Sequence, residues 1–79
     1  MNYESGEETT AGDIVALVHG RGPSGRVVVV VGPEPQSMPG YAASEWEHLG
    51  PGILIDAEGM GLVFDNKPHE SVVLVKRDS

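Results

Sequence analysis

The densest apolar stretch of the chain is residues 27–31, five consecutive valines held between Gly25-Arg26 and Gly32. β-branched side chains fit a pleated sheet and resist helix, so the run predicts a strand. Its unbroken apolar character predicts burial on both faces. It is far shorter than the ~20 apolar residues a membrane span requires. Around it, alternation of apolar and polar positions predicts further strands. Residues 13–19 place Ile14, Ala16 and Val18 on one face, with Val15 and Leu17 on the other. Residues 53–57 and 61–65 flank Glu58-Gly59-Met60 and predict a hairpin with Gly59 at a positive φ. Residues 71–76 form the last strand, after a turn at 66–70 and before the charged stop Arg77-Asp78-Ser79.

Glycine and proline punctuate these segments. Gly20-Arg21-Gly22-Pro23-Ser24-Gly25 reads as a tight connection that makes a hairpin of the first strand and the valine run. Residues 32–40 carry Pro33, Pro35 and Pro39, which remove backbone donors and fix φ. This is the longest irregular stretch and the best candidate for a functional loop. In residues 41–49, Ser44-Glu45-Trp46-Glu47 fits a capping box and predicts one short helical turn near 43–49, ended by Gly50-Pro51-Gly52. A short strand through Trp46 is the alternative. Residues 1–11 are polar, acidic and aperiodic, and read as a flexible acidic N-terminal tail ahead of one domain at 12–79. Five short strands whose central member needs cover on both faces are most economically closed on themselves, as a mostly β, small antiparallel barrel.

The 79 residues leave room for one domain. A domain this small buries only about 60–65% of its unfolded surface. It has no cysteine, so neither a disulfide nor a thiolate nucleophile is available. Small folds without such supports often oligomerise, and the apolar last strand suggests a homodimer seam at Val72 and Leu74. Twelve acids against five bases give a formal charge of −7. That argues against phosphate-dominated nucleic-acid binding and suits a basic protein partner. The opening Met1-Asn2-Tyr3-Glu4-Ser5 is acidic where a secretory signal is basic, and no lipidation signature appears. A cytoplasmic protein without membrane attachment is the expectation.

Gly12-Asp13-Ile14-Val15-Ala16-Leu17-Val18-His19-Gly20, followed by Gly25-Arg26-Val27, resembles the KOW-type opening of SH3-like barrels. Such segments run Gly-Asp, alternating apolar residues, a Gly-rich turn and then Gly-x-Val. The resemblance covers residues 12–27 and implies a five-stranded SH3-like barrel. KOW domains often bind RNA or ribosomal partners through basic residues. Here the turn carries only Arg21 and Arg26, a departure that puts RNA binding in doubt and leaves the barrel intact.

The motifs that carry chemistry are sparse. His19, His48 and His69 occur in neither an HxH nor an HExxH spacing, so no motif indicates a metal. Asp56, Glu58, Asp65 and His69 lie near one another along the chain, but carboxylates in turns are ordinarily solvated. Gly20, Gly22 and Gly25 spell Gly-x-Gly-x-x-Gly, yet a strand rather than a helix follows them, which rejects a dinucleotide site. No serine sits in a Gly-x-Ser-x-Gly elbow. The sequence therefore predicts no catalytic residues and no cofactor. It predicts a non-enzymatic protein-interaction module, with Tyr41 and Trp46 beside the Pro-rich loop as contact surface. Met38 joins that surface, and His19 and Arg21 form its rim. Trp46 as a core plug is the competing reading. The alternatives in function are an acidic inhibitor or immunity-type protein for a basic partner, and a homo-oligomeric structural protein.

Overall fold

Strands β1 (Ile14–Ala16) and β2 (Ser24–Val31) form the first hairpin of an antiparallel sheet, with Ile14 opposite Arg26 and Ala16 opposite Ser24. The computed structural model describes residues 1–77; Asp78 and Ser79 of the charged stop lie outside it. The further strands are β3 (Gln36–Ser37), β4 (Gly52–Ala57), β5 (Gly61–Asp65) and β6 (Val73–Lys76). A single helical turn, α1 (Pro68–Ser71), precedes β6. The sheet order is β5-β4-β2-β1-β6, and β3 pairs with the second half of β2 through Val29–Ser37 and Val30–Gln36.

The chain is therefore mostly β, but its six strands form an antiparallel sheet that is not closed into a barrel. The valine strand still has cover on both faces. Val27, Val28, Val29, Val30 and Val31 are all buried. A β-bulge makes this possible. Val27 stands opposite Ile55 and Val29 opposite Leu54, so Val28 is the extra residue. The bulge breaks strict alternation. Val27 and Val30 join one cluster with Val15, Ile53, Ile55 and Val72. Val28, Val29 and Val31 join a second with Leu54, against which Met38, Tyr41, Trp46 and Phe64 pack. Each aliphatic side chain so buried contributes about 1.5–3 kcal/mol relative to exposure. Tyr3 of the N-terminal segment, Leu17 and Val72 join the cluster on one face, and the 32–49 connection packs on the other, so both faces are covered without closure.

Several expected elements differ from the structure. The first strand ends at Ala16, because Val18 and His19 take positive φ values of 51° and 58° and turn the chain into a short 3-10 segment, Val18–Gly20. The Pro-rich stretch was expected to lack regular structure, yet Gln36 and Ser37 donate a short strand to β2. The helix near 43–49 is two successive 3-10 turns, Ala43–Glu45 and Glu47–Leu49. No capping box forms there: the N-cap positions are Ala42 and Trp46, without side-chain caps. The β4–β5 hairpin is as expected. Met60 N–H donates to Ala57 O at 3.1 Å, and Gly59 takes a φ of 78° at the third turn position.

The largest difference is the N-terminus. Residues 1–11 are not a loose tail but a strap folded onto the sheet. Tyr3 is 1% exposed and belongs to the main core cluster. Its hydroxyl donates to Asp13 Oδ2 at 2.6 Å, and the same oxygen accepts the Thr10 N–H at 3.1 Å. Glu4 N–H donates to Val72 O at 2.8 Å, and Tyr3 N–H to Glu7 O at 2.8 Å, closing a turn through Gly6 with a φ of 99°. Arg77 holds the strap from outside, donating to Thr10 Oγ1 at 2.9 Å and to Glu8 O at 2.8 Å. Aperiodicity hid this segment because it docks through one aromatic side chain rather than through a repeated face.

Burial, followed by the hydrogen bond to Asp13, pushes the Tyr3 hydroxyl far above the usual phenol range. The folded state therefore keeps its proton when the unfolded chain has lost it. That contribution to stability is complete below about pH 10 and is lost as pH rises beyond it. Urea midpoints measured across this range should fall more steeply for the native protein than for Tyr3→Phe. Parallel slopes would contradict the docking of Tyr3.

Candidate functional site

The strap and the Pro-rich connection enclose a cleft of about 280 Å³. It is lined by Met1, Glu8, Thr9, Val30, Gly32, Pro33, Glu34 and Gln36. Thr9 is buried and fixed to Met1 O by both its N–H, at 2.9 Å, and its hydroxyl, at 3.2 Å. Val30 brings a buried apolar side chain from β2. Gln36 ties the two walls together, since its Oε1 accepts the Ala11 N–H at 3.1 Å. Glu8 on the strap and Glu34 on the Pro-rich connection are both exposed. The lining therefore brings Val30, Pro33 and Met1 together with two acidic residues. Such a lining suits a cation on an aliphatic stem, the chemistry of lysine and arginine side chains. Its volume falls short of pockets for drug-sized ligands, which begin near ~300 Å³.

The second half of the same connection builds an apolar face. Met38 N–H donates to Val28 O at 2.9 Å, and Tyr41 N–H to Met38 O at 3.1 Å. Trp46 N–H donates to Ala43 O at 3.0 Å. Met38, Tyr41 and Trp46 are half-buried, packed against the Val28–Val29–Val31–Leu54 cluster. Trp46 thus plugs the second face of the sheet and still keeps surface toward solvent. Exposed Glu45 and Glu47 flank it, and Leu49 just beyond is 42% exposed.

No family model, no curated protein and no solved structure matches this chain.

His19 and Arg21 do not form a rim to this surface. Both are exposed on the connection that leads into Ser24, the first residue of β2. Met38, Tyr41 and Trp46 pack on the other half of the strand, and the eight residues of β2 span roughly 25 Å. His19 instead meets the strap, with Nδ1 2.8 Å from Glu4 Oε2. Nor do Asp56, Glu58, Asp65 and His69 converge: among the described residues, no group of three or more His, Asp or Glu is placed to hold a metal ion. Of the expected dimer seam, Val72 is fully buried in the main core and Leu74 packs half-buried against it on β6, an edge strand of the sheet. Among the described residues, no helix is long and apolar enough to cross a membrane.

Glu8, Thr9, Glu34 and Gln36 were missed as site residues. Glu34 and Gln36 lie in the loop singled out for function, and three prolines obscure the short strand that begins at Gln36. Glu8 and Thr9 carried no signal except a lone aromatic, Tyr3, in an otherwise acidic segment.

Proposed function

We propose that this domain is a non-enzymatic module that binds a basic segment of another protein. A lysine or arginine side chain enters the cleft between Glu8 and Glu34, and neighbouring apolar side chains rest on Met38, Tyr41 and Trp46. The observation that carries the reading is the cleft itself, which Glu8 and Glu34 line together with Met1, Val30 and Pro33. The formal charge of −7 adds long-range attraction for such a partner. An opened relative of the SH3-like barrel is the finer fold reading, supported by the Gly12-Asp13 opening and by the bulge that bends β2.

Trp46 is the only tryptophan, so its fluorescence reports contact at the apolar face. Titration with an arginine-rich peptide carrying one aromatic residue should shift its emission, whereas an acidic peptide of equal length should not. Glu8→Gln together with Glu34→Gln should weaken the basic peptide about tenfold, which corresponds to ~1.4 kcal/mol. Raising ionic strength should weaken it as well. Affinity indifferent to both changes would refute the reading. The alternative, an acidic inhibitor that masks a basic surface without admitting a side chain, rests on the same net charge. It is distinguished by strong salt dependence with little effect of the double substitution.

A further inference from the structure

The two open edges of the sheet are built differently. β6 is guarded. Its pairing with β1 shifts register between Ile14 and Val15, it carries Lys76, and Glu4 N–H occupies Val72 O just before it. Bulges, lysines and covering segments are the devices that discourage strand addition. β5 has none of them. It pairs with β4 from Ala57–Gly61 to Ile53–Asp65 without a register shift, and it contains no lysine, arginine or proline. Its outer side has no partner strand among the described residues. Leu62 is 48% exposed, and Met60 just before the strand is 57% exposed.

We infer that β5 is the seam of a symmetric dimer, in which β5 pairs antiparallel with β5 of a second copy about a two-fold axis at Val63. The residue pattern fits a second copy. In that register Leu62 meets Phe64 of the other subunit, twice, and Asp65 meets Gly61. Apolar side chains face each other, and no carboxylate lies directly opposite a carboxylate. Leu62 shares a face with Phe64, which packs on the Val28–Val31 side of the sheet, so pairing joins the apolar faces of the two copies. A five-residue seam is well short of the ~1,600 Å² of a standard interface, so the dimer is weak and concentration-dependent. Each copy carries −7, so the subunits repel one another and added salt strengthens their association. This is opposite in sign to the salt effect on a basic partner.

Sedimentation equilibrium of the full chain over a concentration series, at low and high sodium chloride, tests the seam. A monomer–dimer equilibrium that tightens with salt is expected. Leu62→Lys should raise the dissociation constant at least about tenfold, with far-UV circular dichroism unchanged. Met60→Lys serves as the second variant and should weaken the dimer in the same direction. Val75→Lys, on the β6 edge, should leave it unaltered. A monomer under every condition overturns the inference. So does a dimer dissolved by Val75→Lys but not by Leu62→Lys, or a dimer that salt weakens. A chain that stays monomeric and pairs along β5 only with an added extended peptide also overturns it, in favour of augmentation by another protein.

Discussion

Tyr3→Ala should lower the unfolding free energy by about 3–5 kcal/mol. For a domain of 79 residues, whose total stability is of the order of 4–12 kcal/mol, that is a large share. Two losses add. A fully buried aromatic ring leaves the main core cluster that it shares with Val15, Leu17 and Val72. Asp13, 2% exposed, also loses its 2.6 Å hydrogen bond from the Tyr3 hydroxyl. Its remaining support is the Thr10 N–H at 3.1 Å and an Arg77 guanidinium nitrogen 4.0 Å away. A buried carboxylate with partners removed is costly. Tyr3→Phe separates the two losses, keeping the ring and removing the hydroxyl, and should cost about 1–3 kcal/mol. Urea unfolding would show both as reduced midpoints in that order. An unchanged midpoint for Tyr3→Ala would mean that the strap does not dock, and the cleft it walls would go with it.

Gly25→Ala should cost about 2–3 kcal/mol. Gly25 lies in β2 between two strands, opposite Val15 on β1 and Ala57 on β4. A Cβ there would stand 2.7 Å from the Asp56 carbonyl oxygen, 2.7 Å from Ile55 Cγ2 and 2.9 Å from Ala57 Cα. Two of the three are backbone atoms held by the β2–β4 ladder, so relief requires the ladder itself to move. Gly32 is the control. A Cβ at Gly32 meets nothing within 4 Å, and its φ is not in the left-handed region. Gly32→Ala should be neutral or stabilising by up to ~1 kcal/mol, through reduced freedom of the unfolded chain. Thermal unfolding of the two variants side by side checks the contrast. Equal effects would remove close strand approach as the reason for glycine at position 25.

Local elements were legible where the backbone itself makes the demand. The valine run is a strand because β-branching leaves few alternatives, and Gly59 marks the β4–β5 turn because that position takes a positive φ. The first hairpin follows from the glycines between β1 and β2. Burial of all five valines was also legible, since no polar residue interrupts them. The candidate site was legible only in part. The loop at 32–40 was singled out, and Met38, Tyr41 and Trp46 do share one face. His19 and Arg21 precede β2 at Ser24 while Met38, Tyr41 and Trp46 follow it after Val31, so grouping them required the chain to fold back along the full length of the strand, which it does not do.

What the sequence determined by itself is the set of strands, the hairpin turns and the acidic balance, each dictated by the stereochemistry or charge of neighbouring residues. Tertiary structure alone decided the rest: the bulge at Val28 that divides the valines between two clusters, the open edge at β5, and the docking of Tyr3 that turns an apparent tail into one wall of the cleft. These depend on which residues far apart in the chain meet across the sheet. A short-range pattern holds no record of such meetings, because a single buried ring or one inserted residue is enough to settle them.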